Sequence, residues 1–233
     1  MSNETIAVVT FLGLGFSILI FLRLGRPFLF AFSSFIIVAS NATVGIEAVV
    51  FGIPVSLGVI IYSLIYLITD ILSETYEKNA AYKLAISNLL VQVLFWAYIF
   101  INIPVSVSFG QEVHENMVNL YSATPRITVA ALVASLGAFA DIWIYETVHR
   151  VFRDRTDFLG TLWFRNNLST IIGQSINTTL FFGIALYGVL PNLPIIILGA
   201  IGIKVAIALF DTPFLYLAKA IHRTGIVRSD ELE

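Results

Sequence analysis

The chain has 233 residues, of which 58% are hydrophobic and only 12% charged, whereas charged residues make up about a quarter of ordinary soluble domains; too few charges are available to cover a water-facing surface. A formal net charge of −2, with no basic face interleaved with aromatics, argues against nucleic acid as a partner. Cysteine is absent, which excludes disulfides, thiolate chemistry and cysteine-held metals, and His114, His149 and His222 are scattered without ligand spacing.

A bilayer core about 30 Å thick needs about 20 mostly apolar helical residues to cross it, because lipid cannot satisfy backbone groups. Seven stretches meet that need, near residues 5–22, 27–46, 54–73, 83–103, 126–148, 167–189 and 193–218. The expected fold is therefore an all-α integral membrane protein, a single domain over 1–233 built as a bundle of about seven transmembrane helices. Strands are not expected, since the apolar runs are long and do not alternate. The first stretch reads as a retained helix instead of a signal peptide, because Arg23 and Arg26 follow it and no small-residue cleavage site is evident. The longest hydrophilic stretches, near 104–125 and 149–166, are loop-sized.

Basic residues set the orientation, since short cytoplasmic loops are enriched in Lys and Arg. Eleven of the thirteen fall on one side: Arg23 and Arg26, Lys78 and Lys83, Arg150, Arg153, Arg155 and Arg165, and Lys219, Arg223 and Arg228. An N-terminus outside and a C-terminus in the cytoplasm follow, with the cell membrane as the location. Arg126 borders the opposite side, and Lys204 lies inside the seventh stretch.

Ionisable groups at membrane depth are costly and mark a partner, a wet cavity or a ligand. On the third helix Asp70 and Glu74 lie one turn apart near the cytoplasmic end, where interfacial position alone also accounts for them. Asp141 sits about two-thirds along the fifth helix beside Ala134, Gly137 and Ala138, small residues that let another helix or a ligand approach. The sixth helix carries Thr170, Gln174, Asn177 and Phe181 at spacings of four, three and four, one polar stripe ending in a ring; hydrogen bonding between helices is the alternative use. Lys204 falls eleven residues into the seventh helix, near mid-membrane, with Ala200, Ala208 and Asp211 on its face. A structural ion pair between Lys204 and Asp141 is compatible with either role. Asn41, Asn88 and Gln92 are neutral amides of second rank. Carboxylates, amides, an ammonium and rings together suit a flat, hydrogen-bonding heteroaromatic molecule.

Over roughly residues 28–218 these segments resemble the queuosine precursor transporters, also called vitamin-uptake-like transporters, with the helix at 5–22 as an extra element. The matching motifs are Ser40-Asn41, Asp70-Ile-Leu-Ser-Glu74-Thr-Tyr76, the stretch from Arg126-Ile-Thr to Asp141-Ile-Trp-Ile-Tyr145, and Trp163-Phe-Arg165-Asn-Asn-Leu-Ser169-Thr170 followed by Gln174 and Phe181. Lys204 and Pro213 match the last helix. The chain departs from the family pattern at Glu77, where a glycine is usual, and at Asn177, where an aspartate is common. The resemblance implies import of a 7-deazaguanine, such as 7-cyano- or 7-aminomethyl-7-deazaguanine, for tRNA modification, with no cofactor and no enzymatic activity. Its adjacent N–H donors would suit Asp141 or Asp70, its carbonyl Lys204, Gln174 or Asn177, and its ring Phe181 or Trp143. Arg126, Arg165, Asn41, Thr170, Glu74 and Asp211 complete the candidate set.

Three other readings compete. A retinal-binding seven-helix protein would use a lysine in the last helix, but Ala200 occupies the position one turn earlier, where microbial rhodopsins resemble one another in carrying an aspartate. An intramembrane enzyme lacks a histidine within a span and a paired nucleophile and base. A substrate-binding subunit that depends on an energising partner stays open, as does assembly into a homo-oligomer.

Overall fold

The computed structural model of the protein describes residues 2–43, 46–76, 78–121, 124–152, 161–188 and 192–223. Arg153, Arg155, Arg228 and the departure at Glu77 lie outside them. Among the described residues are nine α-helices: α1 Asn3–Leu24, α2 Arg26–Ala42, α3 Leu57–Thr75, α4 Lys78–Asn102, α5 Gln111–Tyr121, α6 Thr124–Ala134, α7 Leu136–Val151, α8 Leu162–Ala185 and α9 Leu193–Arg223. A 3₁₀ segment, Ile103–Phe109, continues α4.

Among the described residues, five segments are long and apolar enough to cross a membrane: α1, α3, α4 with its 3₁₀ extension, α6 with α7, and α9. At 17 residues α2 is apolar but short, and α8 carries Arg165, Asn166, Asn167, Gln174 and Asn177 along its length. The protein is thus a mostly helical membrane protein. Outward-facing Phe16, Ile20, Phe35, Leu94, Ile101 and Phe210 give it an apolar jacket suited to lipid.

The centre of the bundle is α3, buried over 78% of its apolar window. Leu64, Leu67, Ile68 and Ile71 of α3 meet Ile18 and Leu22 of α1, Leu29 and Ile36 of α2, and Leu215 of α9 in the main core. Removing a side chain of this kind costs about 2–5 kcal/mol.

Three local features depart from the expected spans. Residues 54–56, expected in a helix, belong to a β-hairpin in which β1 Glu47–Val50 pairs antiparallel with β2 Ile53–Ser56. Its two turn residues, Phe51 and Gly52, have φ of 51° and 78°, the doubly positive backbone that closes a two-residue hairpin. A short run of β-branched residues beside a glycine is ambiguous between helix and strand, and here the turn decides. Polar α5 falls within the hydrophilic stretch expected to be a loop, tied to the 3₁₀ segment by Ser106 Oγ and His114 Nδ1 at 2.8 Å.

The fifth expected helix is interrupted at Ser135, which separates α6 from α7 while keeping helical φ and ψ of −59° and −19°. Ser135 Oγ donates to the Leu132 carbonyl at 2.6 Å, and Ala138 N–H turns to the Ser135 carbonyl at 3.0 Å. The Ala134 carbonyl accepts from Asn177 Nδ2 at 3.0 Å. A side chain entering the carbonyl ladder and a serine bonding back onto it are both recognised causes of a kink.

Candidate functional site

Helices α2, α3, α4, α6, α8 and α9 converge on one interior cavity that offers water centres about 50 Å³. That is room for a few waters, since one needs roughly 10–15 Å³ on this measure. Its polar wall is built from the middle of α9 and α8. Lys204 Nζ donates to Asn177 Oδ1 at 3.2 Å and stands 5.3 Å from the centre of the Tyr62 ring, a distance at which a cation is attracted to the aromatic face. Asn177 Nδ2 reaches the Tyr62 hydroxyl at 3.3 Å as well as the Ala134 carbonyl.

Across the cavity, Asn41 Oδ1 accepts from Gln92 Nε2 at 3.3 Å and from Trp96 Nε1 at 3.1 Å. Asn41 Nδ2 is held by the Ile37 carbonyl at 2.8 Å, so the side chain is locked from both ends. Phe181, Phe182 and Val59 complete the apolar walls.

Close approach of α7 to α8 fixes this geometry. A Cβ on Gly137 would come within 2.5 Å of the Gly173 carbonyl and 2.6 Å of Asn177 Cβ, and one on Gly173 within 2.5 Å of Asp141 Cβ. Only glycine allows the two backbones to touch there, in the manner of small-residue seams between membrane helices.

A second polar level lies about 10 Å further along, as the seven residues from Lys204 to Asp211 imply. Asp70 of α3, Asp141 of α7 and Asp211 of α9 interact electrostatically here and are almost fully buried. Thr170 Oγ1 donates to Asp70 Oδ2 at 3.1 Å, and Asn166 Nδ2 to Asp211 Oδ1 at 3.5 Å. Gln174 is buried at this end of α8 with neither amide atom partnered.

A third level closes that end of the bundle. Glu74 Oε1 is paired with the Arg165 guanidinium and accepts from the Tyr145 hydroxyl at 2.7 Å, while Glu74 Oε2 takes Lys219 Nζ at 2.6 Å. Arg165 Nε also donates to the Tyr145 hydroxyl at 3.3 Å. One carboxylate thereby joins α3 to α7, α8 and α9.

Of the residues singled out from sequence, Lys204, Asn177, Asn41 and Phe181 line the cavity. Asp70, Asp141, Asp211, Thr170 and Gln174 lie outside its wall, and Glu74 and Arg165 lie in the ion network. The lysine's hydrogen bond goes to Asn177, and no ion pair joins it to Asp141 among the described residues. Arg126 is exposed at the C-terminal end of α8, where Nε donates to the Ile184 carbonyl at 2.6 Å and the guanidinium reaches the Tyr187 carbonyl, a favourable place for a cation. Trp143 is 62% exposed and points away from the bundle interior.

Tyr62 is a cavity residue that sequence reasoning passed over. Its signal was present: Tyr62, Tyr66, Asp70 and Glu74 recur every four residues, a polar stripe down one face of a largely apolar helix.

A buried ammonium, paired amides and rings around a cavity at the middle of a lipid-clad bundle are what a carrier of small polar molecules requires. Residues 56–218 match the family described as "Putative vitamin uptake transporter". The chain belongs to that family. Among curated proteins it is 30% identical over 203 residues to a "Probable queuosine precursor transporter" of Bacillus subtilis (strain 168), covering 84% of this chain and 85% of the relative. No solved structure matches it. In vitamin uptake transporter terms, the matched region takes in α3 to most of α9, with every cavity residue named above except Asn41.

Proposed function

We propose that this transporter imports a 7-deazaguanine precursor of queuosine, such as 7-cyano- or 7-aminomethyl-7-deazaguanine, across the cell membrane. The observation that carries the reading is the cavity at Lys204. Its ammonium and the amides of Asn177, Asn41 and Gln92 supply donors and acceptors matched to a purine-like edge, and Phe181 and Tyr62 offer faces for a flat ring. The name of the Bacillus subtilis relative supports the same cargo class.

In this reading seven segments cross the bilayer, with α2 and α8 added to the five apolar ones and α6–α7 counted as one span. The excess of Lys and Arg near the Glu74 end supports a cytoplasmic position for that end and an N-terminus outside. With space for only a few waters, the cavity must widen to take a bicyclic base. Alternating access supplies such a change, and the interrupted helix at Ser135 lies beside Asn177, as broken helices line other transporter sites.

Purified protein in liposomes, without any partner, should take up labelled 7-cyano-7-deazaguanine, and the same base should raise its melting temperature. Lys204→Ala should abolish both while still inserting in the membrane. Binding without uptake would assign the chain to a system with an energising subunit. Neither uptake nor a thermal shift with any deazaguanine, alongside a shift with riboflavin, would replace the cargo.

A further inference from the structure

We propose that Asp70, Asp141 and Asp211 form a proton-binding site whose loading and release drive uptake through the neighbouring cavity, an inference that rests on the transport reading above. The first observation is a charge imbalance. All three carboxylates are at most 2% exposed and lie within interaction range of one another. The cations nearest along the stripe are otherwise engaged: Arg165 and Lys219 with Glu74, Lys204 with Asn177 and the Tyr62 ring. The charged residues of α1, α2 and α4 stand only near their ends, so among the described residues no positive side chain faces the three. Buried negative charge at membrane depth needs a counter-charge.

The second observation is independent of charge. Neither oxygen of Asp141 has a hydrogen-bond partner, although the hydroxyls of Ser169, Thr170 and Thr69 surround it. Each of those hydroxyls has a single hydrogen, and each gives it elsewhere: Ser169 to the Asn166 carbonyl, Thr170 to Asp70, Thr69 to the Tyr66 carbonyl. Asp141 therefore lacks a committed donor, and a proton on its own carboxyl lets it bond to the hydroxyl oxygens beside it. Asn166, aimed at Asp211 through its amide nitrogen, likewise leaves its oxygen unpartnered. The other titratable groups facing the cluster are Tyr66 and Glu74 of α3 and Tyr145 of α7. Among the described residues no group of three or more carboxylates and histidines is arranged to hold a metal ion.

In the cycle the proton enters from the outer water, occupies a carboxyl oxygen of this cluster and leaves to the inner water with the cargo. Vesicles containing the protein and a trapped pH dye provide the test. An acid-outside gradient of one unit should sustain about tenfold accumulation of 7-cyano-7-deazaguanine for one proton per molecule, with cargo-dependent acidification of the lumen. Asp70→Asn, Asp141→Asn and Asp211→Asn should lose the accumulation and the acidification together. Accumulation driven by a sodium gradient, or by pH in all three variants, overturns the proposal. If the wild type moves no deazaguanine, the transport reading fails and infrared difference spectra between acid and alkaline buffer still decide the site. A protonated-carboxyl band that disappears in the variants supports it, and a band unchanged by all three removes it.

Discussion

Replacing Gly173 by alanine tests the geometry on which both polar levels depend. The added methyl would stand 2.5 Å from Asp141 Cβ and 2.8 Å from the Gly137 carbonyl, where apolar atoms rest at about 3.5–4.0 Å. Since two of these neighbours are backbone or attached directly to it, no rotamer relieves the clash, and α7 and α8 must part by about 1 Å. Overpacking of this kind costs about 1–3 kcal/mol, which corresponds to a fall in Tm of roughly 2–12 °C for a chain of this length. The same shift draws Asn177, one turn along α8, from the Ala134 carbonyl, now 3.0 Å away, to a distance where the hydrogen bond is lost. A melting curve of the detergent-purified variant, followed by titration with 7-cyano-7-deazaguanine, reads both effects. A Tm within 1 °C of wild type together with unchanged ligand stabilisation would refute the close approach of α7 and α8.

Glu74→Gln leaves Arg165 and Lys219 without their anion at a site where the carboxylate is 4% exposed; a loss of about 2–4 kcal/mol is expected, seen as a lower Tm at low salt. Tyr62→Phe keeps the ring under Lys204 but removes the hydroxyl that accepts from Asn177, so ligand affinity should fall by roughly three- to tenfold with little loss of fold, about one hydrogen bond, measured by isothermal titration. Arg126→Ala removes the cation bound to the last carbonyls of α8 and should cost about 0.5–1 kcal/mol, read as a Tm shift. Asn177→Asp, the residue common in the resembling family, puts a carboxylate against the Ala134 carbonyl in place of a donor; two facing acceptors should weaken the fold by about 1–3 kcal/mol unless Lys204 draws the side chain away, which a Lys204→Met background separates.

The spans were legible where composition alone decides them. The stretches expected at 5–22 and 193–218 correspond to Asn3–Leu24 and Leu193–Arg223, in both of which long apolar runs outweigh the few polar residues. Residues 47–56 hid a hairpin because its pairing depends on positive φ at Phe51 and Gly52, a backbone state that apolar composition does not encode. The polar stripe on α8 was visible, but its residues serve different levels: Thr170 binds Asp70, whereas Asn177 and Phe181 line the cavity. Spacing along a helix reveals which residues share a face. It does not reveal how far neighbouring helices are shifted along their axes, and that offset separates Asp141 from Lys204. The interruption at Ser135 was likewise hidden, since the side chain that enters the ladder comes from another helix.

Glu74 is one anion answering two cations, so the knot it ties has an odd charge count. Helices α8 and α9 cannot separate at that end without at least one of Arg165 and Lys219 losing its counter-ion. Whichever of them keeps the carboxylate decides which helix travels with α3, and the other is left facing whatever water or cargo comes through.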